Sequence, residues 1–207
     1  MPLQNRVTPA NEIIATPHRG LMMGNRGILH GTDRTLGVAR WTHPHWISCV
    51  TAFKGRRREL MRPGRYTELF FLDEAVALAA GHRPCGECRR ADLKHFLALW
   101  QQVHGGEIPK AGDLDRHLHK ARIDGRRRRQ IRHTAPIDDL PDGTFIAGDG
   151  PDDAFLVLGD RLLPYSPAGY GPAERRPTGV PVSVMTPRPI VAALNAGYRP
   201  IIHPSAG

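Results

Sequence analysis

Two of the three cysteines in this 207-residue sequence stand in the stretch AAGHRPCGECRRAD, as Cys85-x-x-Cys88. Such a knuckle can present two thiolates to one metal ion while backbone amides soften their charge, or it can serve as a redox couple. A structural zinc needs two further ligands. The third cysteine is Cys49, and His45 precedes it by four residues, so His45-x3-Cys49 faces Cys85-x2-Cys88 across a loop. Two short-spaced pairs of this kind are the usual pattern of a structural Zn2+ site. His43, two residues from His45, and His82, three residues before Cys85, are competing ligands that spacing does not exclude. A thioredoxin-like redox motif opens a helix after a buried strand. Here the knuckle follows a helical segment, which favours zinc.

Charge is the second chemical signal. Lysine and arginine number 29 against 20 acidic residues, a formal net charge of +9, and the isoelectric point is about 10.2. The expected partner is therefore a polyanion, with nucleic acid first and DNA first among nucleic acids. Lys54, Arg56, Arg57, Arg58, Arg62 and Arg65 crowd around a single acid, Glu59, and Arg126, Arg127, Arg128 and Arg129 form an unbroken run. Arg83, Arg89 and Arg90 flank the knuckle. Phosphate contact accounts for these clusters together.

The elements that must position these groups can be read from pattern. Asp73 is a helix N-cap for Glu74 to Ala80, with Gly81 as the left-handed residue that ends it. Leu93, Phe96, Leu97, Trp100 and Val103 form the apolar stripe of a helix after the knuckle, which makes Trp100 a core residue. A third helix is expected from about Asp113 to Ile123, and a last one over 189 to 195. Glu12 to Ala15, Gly27 to Leu29, Phe155 to Leu158, Arg161 to Leu163 and Val180 to Met185 read as strands. Gly24 and Gly27 read as turn residues that shape the backbone.

The run LDEAVALAAGHRPCGECRRADLKHF resembles the zinc-binding domain at the N-terminus of the Ada DNA-repair protein, in which a short helix leads into a Cys-x-x-Cys turn followed by another helix. The resemblance covers residues 45 to about 100. It implies that Cys49, Cys85 and Cys88 are zinc ligands and that His45 stands where that family has its methyl-accepting cysteine. An imidazole is not the anionic sulfur nucleophile that methyl removal from a phosphate ester needs. The implied property is a metal-stabilised DNA-binding fold with a link to DNA repair, without methyltransferase activity.

Other groups have simpler readings. Asp115 and His119 lie at i, i+4 and suit a surface ion pair. Asp138, Asp139, Asp142, Asp149, Asp152, Asp153 and Asp160 could serve a divalent-metal nuclease but sit in turn-rich text where aspartate is favoured. Tyr165, Ser166 and Tyr170 could stack bases or fill a core.

The expected fold is α+β, a small zinc-stabilised helix-knuckle-helix unit combined with short antiparallel strands. Residues 1–40 are expected as a β meander, 41–110 as the Ada-like unit and 111–207 as a basic helix followed by a Pro/Gly-rich β region. The expected function is zinc-dependent nucleic-acid binding, with two alternatives: a nucleic-acid-processing enzyme gripped to its substrate by the zinc unit, and a metal-stabilised protein-interaction module. No catalytic residue is assigned. The start of the sequence lacks an export signal, and no apolar run approaches the roughly 20 residues of a membrane span, so a cytoplasmic location and no membrane partner are expected.

Overall fold

The computed structural model describes residues 1–56 and 59–207; Arg57 and Arg58 of the first basic cluster lie outside the described residues. The N-terminal part contains β1 (Gln4–Val7), β2 (Ile13–Ala15), β3 (Met22–Asn25), β4 (Ile47–Val50), β5 (Leu69–Phe71), the helix α1 (Glu74–Ala79) and β6 (Arg83–Pro84). The six strands make one sheet in the order β2-β1-β5-β3-β4-β6. Residues before and after position 40 thus share a sheet, and the boundary expected there runs through it. The β1/β5 and β4/β6 pairs are parallel, so the sheet is mixed where antiparallel pairing was expected. The strand anticipated at 27–29 is absent. Met22–Asn25 instead pairs with both β4 and β5. A β-carbon at Gly24 would collide with the Ile47 carbonyl, so this glycine serves close strand approach.

Beyond the knuckle come α2 (Arg90–His104), α3 (Ala111–Arg122), a hairpin of β7 (Ile123–Asp124) and β8 (Arg129–Gln130), then β9 (His133–Pro136), β10 (Phe145–Ala147), β11 (Ala154–Leu158), β12 (Arg161–Ser166), β13 (Gly169–Tyr170), β14 (Glu174–Arg175), β15 (Pro181–Val184) and α4 (Arg188–Asn195). The strands after the hairpin form a second, seven-stranded sheet in the order β13-β12-β11-β10-β15-β9, with β14 on β12. The protein is therefore mixed α and β, with four α-helices among the described residues. None of its described helices is long and apolar enough to cross a membrane.

Helix α1 is buried at every position because one core is built around it. Val7, Met22 and Phe71 from the first sheet, Ala75, Val76 and Ala79 from α1, and Phe145, Leu156 and Leu163 from the second sheet belong to a single apolar cluster. Asp73 caps α1, accepting from the Val76 N–H at 2.9 Å. The same carboxylate takes the Tyr170 hydroxyl (2.7 Å) and the His203 N–H (2.9 Å). Burial raises its pKa, and those three donors oppose the rise. Tyr170 is thus a core residue and no stacking platform. On α2 the inward face is Leu93, Phe96, Leu99 and Trp100, the last three packed with α3 and α4, while Val103 is exposed.

Beside this core, Trp46 is fully buried with the guanidinium carbons of Arg26 and Arg122 at 4.0 and 3.9 Å from its ring centroid. His82 lies next to it, also fully buried, its Nε2 accepting from Arg26 Nε at 3.3 Å. Gly81 has φ +82° and sits against the Arg122 side chain, which has no room for a β-carbon there. Burial lowers the His82 pKa well below its usual value, with Arg26 and Arg122 adding repulsion.

The folded protein keeps His82 neutral, whereas the unfolded chain protonates it below about pH 6.5. Its contribution to stability is therefore complete above that pH and lost as pH falls, at up to about 1.4 kcal/mol per pH unit per proton. Urea midpoints should drop between pH 7.5 and 5.5, and His82→Gln should flatten that drop. Parallel profiles for the two proteins would refute the assignment.

Candidate metal centre

The cysteines meet because β4 and β6 run parallel, with Ile47 beside Arg83 and Ser48 beside Pro84. Hydrogen bonds from the Arg83 N–H to the Trp46 carbonyl (3.1 Å) and from the Cys85 N–H to the Ser48 carbonyl (2.9 Å) hold this register. Cys49 and Cys85 consequently leave neighbouring strands side by side. The chain then turns: the Glu87 N–H donates to Cys85 Sγ at 3.4 Å, and the Arg89 N–H bonds the Cys85 carbonyl at 3.2 Å. This turn brings Cys88 back toward the pair. The three sulfurs lie within 4.8 Å of one another, Cys49 and Cys85 buried and Cys88 half-buried. They could hold a metal ion, and no other such group occurs among the described residues.

Their protonation is strongly coupled. Cys85 ionises first, lowered to about 5 by a hydrogen bond from Cys49 and, against the cost of burial, by the amides of Cys88 and Glu87. Cys49 is pushed far up by its hydrogen bond to Cys85 and by burial, and Cys88 is raised by burial. One thiolate is comfortable here and three are not. A divalent cation reverses that balance by replacing the protons.

His45 is not part of the group. Its Nδ1 is 2.8 Å from Asp115 Oδ2, and its side chain is half-exposed. The reason is geometric: β4 is extended, so the step from Ile47 to Cys49 carries the chain about 7 Å onward, whereas an x3 spacing brings side chains together on a helix. His43 packs against the His45 ring, and His82 is enclosed by Trp46 and Phe71. None of the three histidines considered as ligands joins the sulfurs.

The three cysteines instead line a cavity of about 300 Å³. Ile47, Phe53, Leu60 and Phe70 supply apolar wall, with Asn25 and Glu68 among the polar lining. Much of the wall is the loop between β4 and β5. Glu68 fixes that loop by accepting the Met61 N–H at 2.8 Å, where Met61 adopts φ +53° with its side chain fully buried. Arg56 pairs with Glu87 at 2.6 Å, joining the loop to the cysteine turn.

The basic residues divide sharply. Lys54, Arg62, Arg65, Arg90 and Arg126 to Arg129 are exposed, the last four on the turn of the β7–β8 hairpin and the first residue of β8. Arg56 is exposed but occupied by Glu87. Arg83 and Arg89, expected to contact nucleic acid, are instead buried. Arg83 binds Asp115 through Nε and Nη2 at 2.9 and 2.8 Å. Arg89 binds Glu74 at 2.7 Å, Asp92 at 2.8 Å and Ser48 Oγ at 3.2 Å. The partner of Asp115 is therefore Arg83 with His45, while His119 contacts Arg122. Several aspartates of the C-terminal half have turn duties: Asp138, Asp142 and Asp153 accept the amides of Gly179, Gly159 and Gly150. Sequence reasoning missed Glu68, Phe53 and Phe70 as cavity residues, because nothing local distinguishes them from core.

Two outcomes are expected. Replacing Cys49, Cys85 or Cys88 by alanine should weaken Co2+ or Zn2+ binding by more than about 100-fold, and His45→Ala should change it by less than about 10-fold, as read by competition with a chromophoric chelator. Arg89→Ala should lower the unfolding free energy by about 3–5 kcal/mol by stranding Glu74, measured by urea denaturation. Equal losses of metal in the His45 and cysteine variants would return His45 to the ligand set.

In comparisons with known proteins, no family model, no curated protein and no solved structure matches the chain.

Proposed function

We propose that the protein binds Zn2+ through Cys49, Cys85 and Cys88 and binds nucleic acid, DNA first, through its exposed basic loops. The observation that carries this reading is the double role of the segment between β4 and β5. It walls the cavity on which the three sulfurs open, and it presents Lys54, Arg62 and Arg65 to solvent. A polyanion drawn to that loop is drawn to the mouth of the metal site.

Zinc suits a set of three thiolates better than harder divalent ions, which prefer oxygen ligands. The chain runs α1, β6, cysteine turn, α2, and the Ada-type reading of this part, with a role in DNA repair, rests on the sequence resemblance alone. The Arg126–Arg129 turn offers a second phosphate-binding element. Binding of this kind neutralises phosphates without reading bases, so it should be salt-dependent and weakly sequence-selective.

The test is a salt series on the full zinc-loaded chain with a DNA duplex. The logarithm of affinity should fall linearly with the logarithm of salt concentration, by about 0.9 per phosphate neutralised. Replacing Arg62 and Arg65 together by serine should reduce the slope by about 2. Binding that ignores salt, or a slope unchanged by the double replacement, would overturn the assignment of this loop.

A further inference from the structure

We infer that the metal bound by Cys49, Cys85 and Cys88 keeps its fourth coordination position open to the adjoining cavity, and that the position accepts a neutral, planar nitrogen heterocycle of the nucleobase class. This rests on the zinc reading above and extends it from a structural ion to a ligand-binding centre.

The argument begins with the count of donors. Zinc in a structural site is closed by four protein ligands, while a site with three protein ligands leaves one position for water or substrate. Among the described residues only the three cysteines come together. His45, the fourth ligand expected from spacing, is held by Asp115, which is itself fixed by two hydrogen bonds from Arg83. All three cysteines line one cavity of about 300 Å³, a size in the range that accommodates small organic ligands.

Charge then selects what enters. Three thiolates around one divalent cation carry net negative charge, and the Glu68 carboxylate, 3% exposed, lines the same cavity. The Arg56 cation at the rim is offset by Glu87. An anion is therefore repelled from the metal, although exposed Lys54, Arg62 and Arg65 attract one to the outside. A ligand that satisfies both conditions has a neutral head and an anionic tail. The walls specify the head further: Phe53 and Phe70 suit a flat ring, and a ring nitrogen is a suitable fourth donor to zinc. A nucleotide, or a base turned out of a nucleic-acid strand, has this construction.

The experiment uses the full chain loaded with Co2+, whose visible absorption reports coordination directly. Benzimidazole is the neutral planar probe and inorganic phosphate the anionic one. Benzimidazole should shift the absorption bands saturably without releasing cobalt, and phosphate at equal concentration should leave them unchanged. Leu60→Trp, which fills the cavity from the loop between β4 and β5, should retain cobalt and raise the half-saturating benzimidazole concentration at least about 10-fold. A cobalt-loaded protein whose spectrum ignores benzimidazole, or responds equally in native and filled-cavity forms, overturns the open position while leaving the metal site intact. Failure to bind cobalt removes the zinc reading itself, and this inference with it.

Discussion

The cysteine turn depends on a buried ion pair between Arg89 and Glu74. Guanidinium and carboxylate are both almost wholly withdrawn from water, at 4% and 0% exposure, and such a pair is tolerable only when every remaining polar atom is occupied. Glu74 meets that condition with the Tyr198 hydroxyl at 2.6 Å and the Ile201 N–H at 3.0 Å in addition to Arg89. Arg89 in turn reaches Ser48 on β4. One charge network therefore ties together the residue after Cys88, the residue before Cys49, the start of α1 and a C-terminal segment more than 100 positions away. On the other side of the turn, Arg83 and Asp115 do the same for β6 and α3. The sulfurs stand between two fixed points.

The same framework bears on what a metal held by the three cysteines would do. In small zinc modules the ion supplies folding free energy that the core cannot. Here Cys49 lies in a six-stranded sheet, with Cys85 and Cys88 just beyond its strand β6, and the core of that sheet continues into the second sheet through α1, while the β4/β6 register is set by backbone hydrogen bonds. The framework around the sulfurs is built from packing and ion pairs, so a bound metal would not be needed as a substitute core. A preorganised three-sulfur set beside a cavity is the arrangement expected when coordination serves ligand binding.

The legible parts of the sequence were those with a local physical signature. Asp73 as N-cap, the Cys85-x2-Cys88 turn, the apolar stripe of α2 and the strand at Ala154–Leu158 follow from chemistry within a few residues. Cys49 was legible because cysteine is scarce. What failed was non-local. His45 was read as a ligand from spacing alone, but its partner Asp115 is 70 positions away, and extended backbone in β4 separates it from Cys49. Arg26, Arg83, Arg89 and Arg122 all contribute to a count of positive charge, yet all four are buried. Composition records charge without recording where it goes. Strand β3 was missed because its sequence, MMGN, has little strand preference of its own; the pairing on both sides imposes the conformation.

Removing those buried arginines from the account sharpens the surface that remains. Of the clusters read from the sequence, the charge left outside lies on the loop between β4 and β5, on Arg90 and on Arg126 to Arg129, among further exposed cations such as Arg19, Lys94, Lys120, Arg175 and Arg188, while three thiolates around a divalent ion would make the metal site negative. Opposite signs at the rim and the floor of one cavity discriminate in a way that neither does alone. On the proposed reading, a simple phosphate would meet attraction at the rim and repulsion at the metal, and a neutral heterocycle without a tail would meet only the floor. A molecule with both parts would gain from each, because the second contact is made at the high effective concentration created by the first. The loop that carries the rim charge is also held by Glu68 from within the cavity and by Glu87 from the cysteine turn. Anion binding outside and coordination inside would therefore act on one segment of chain, and each contact would place the other.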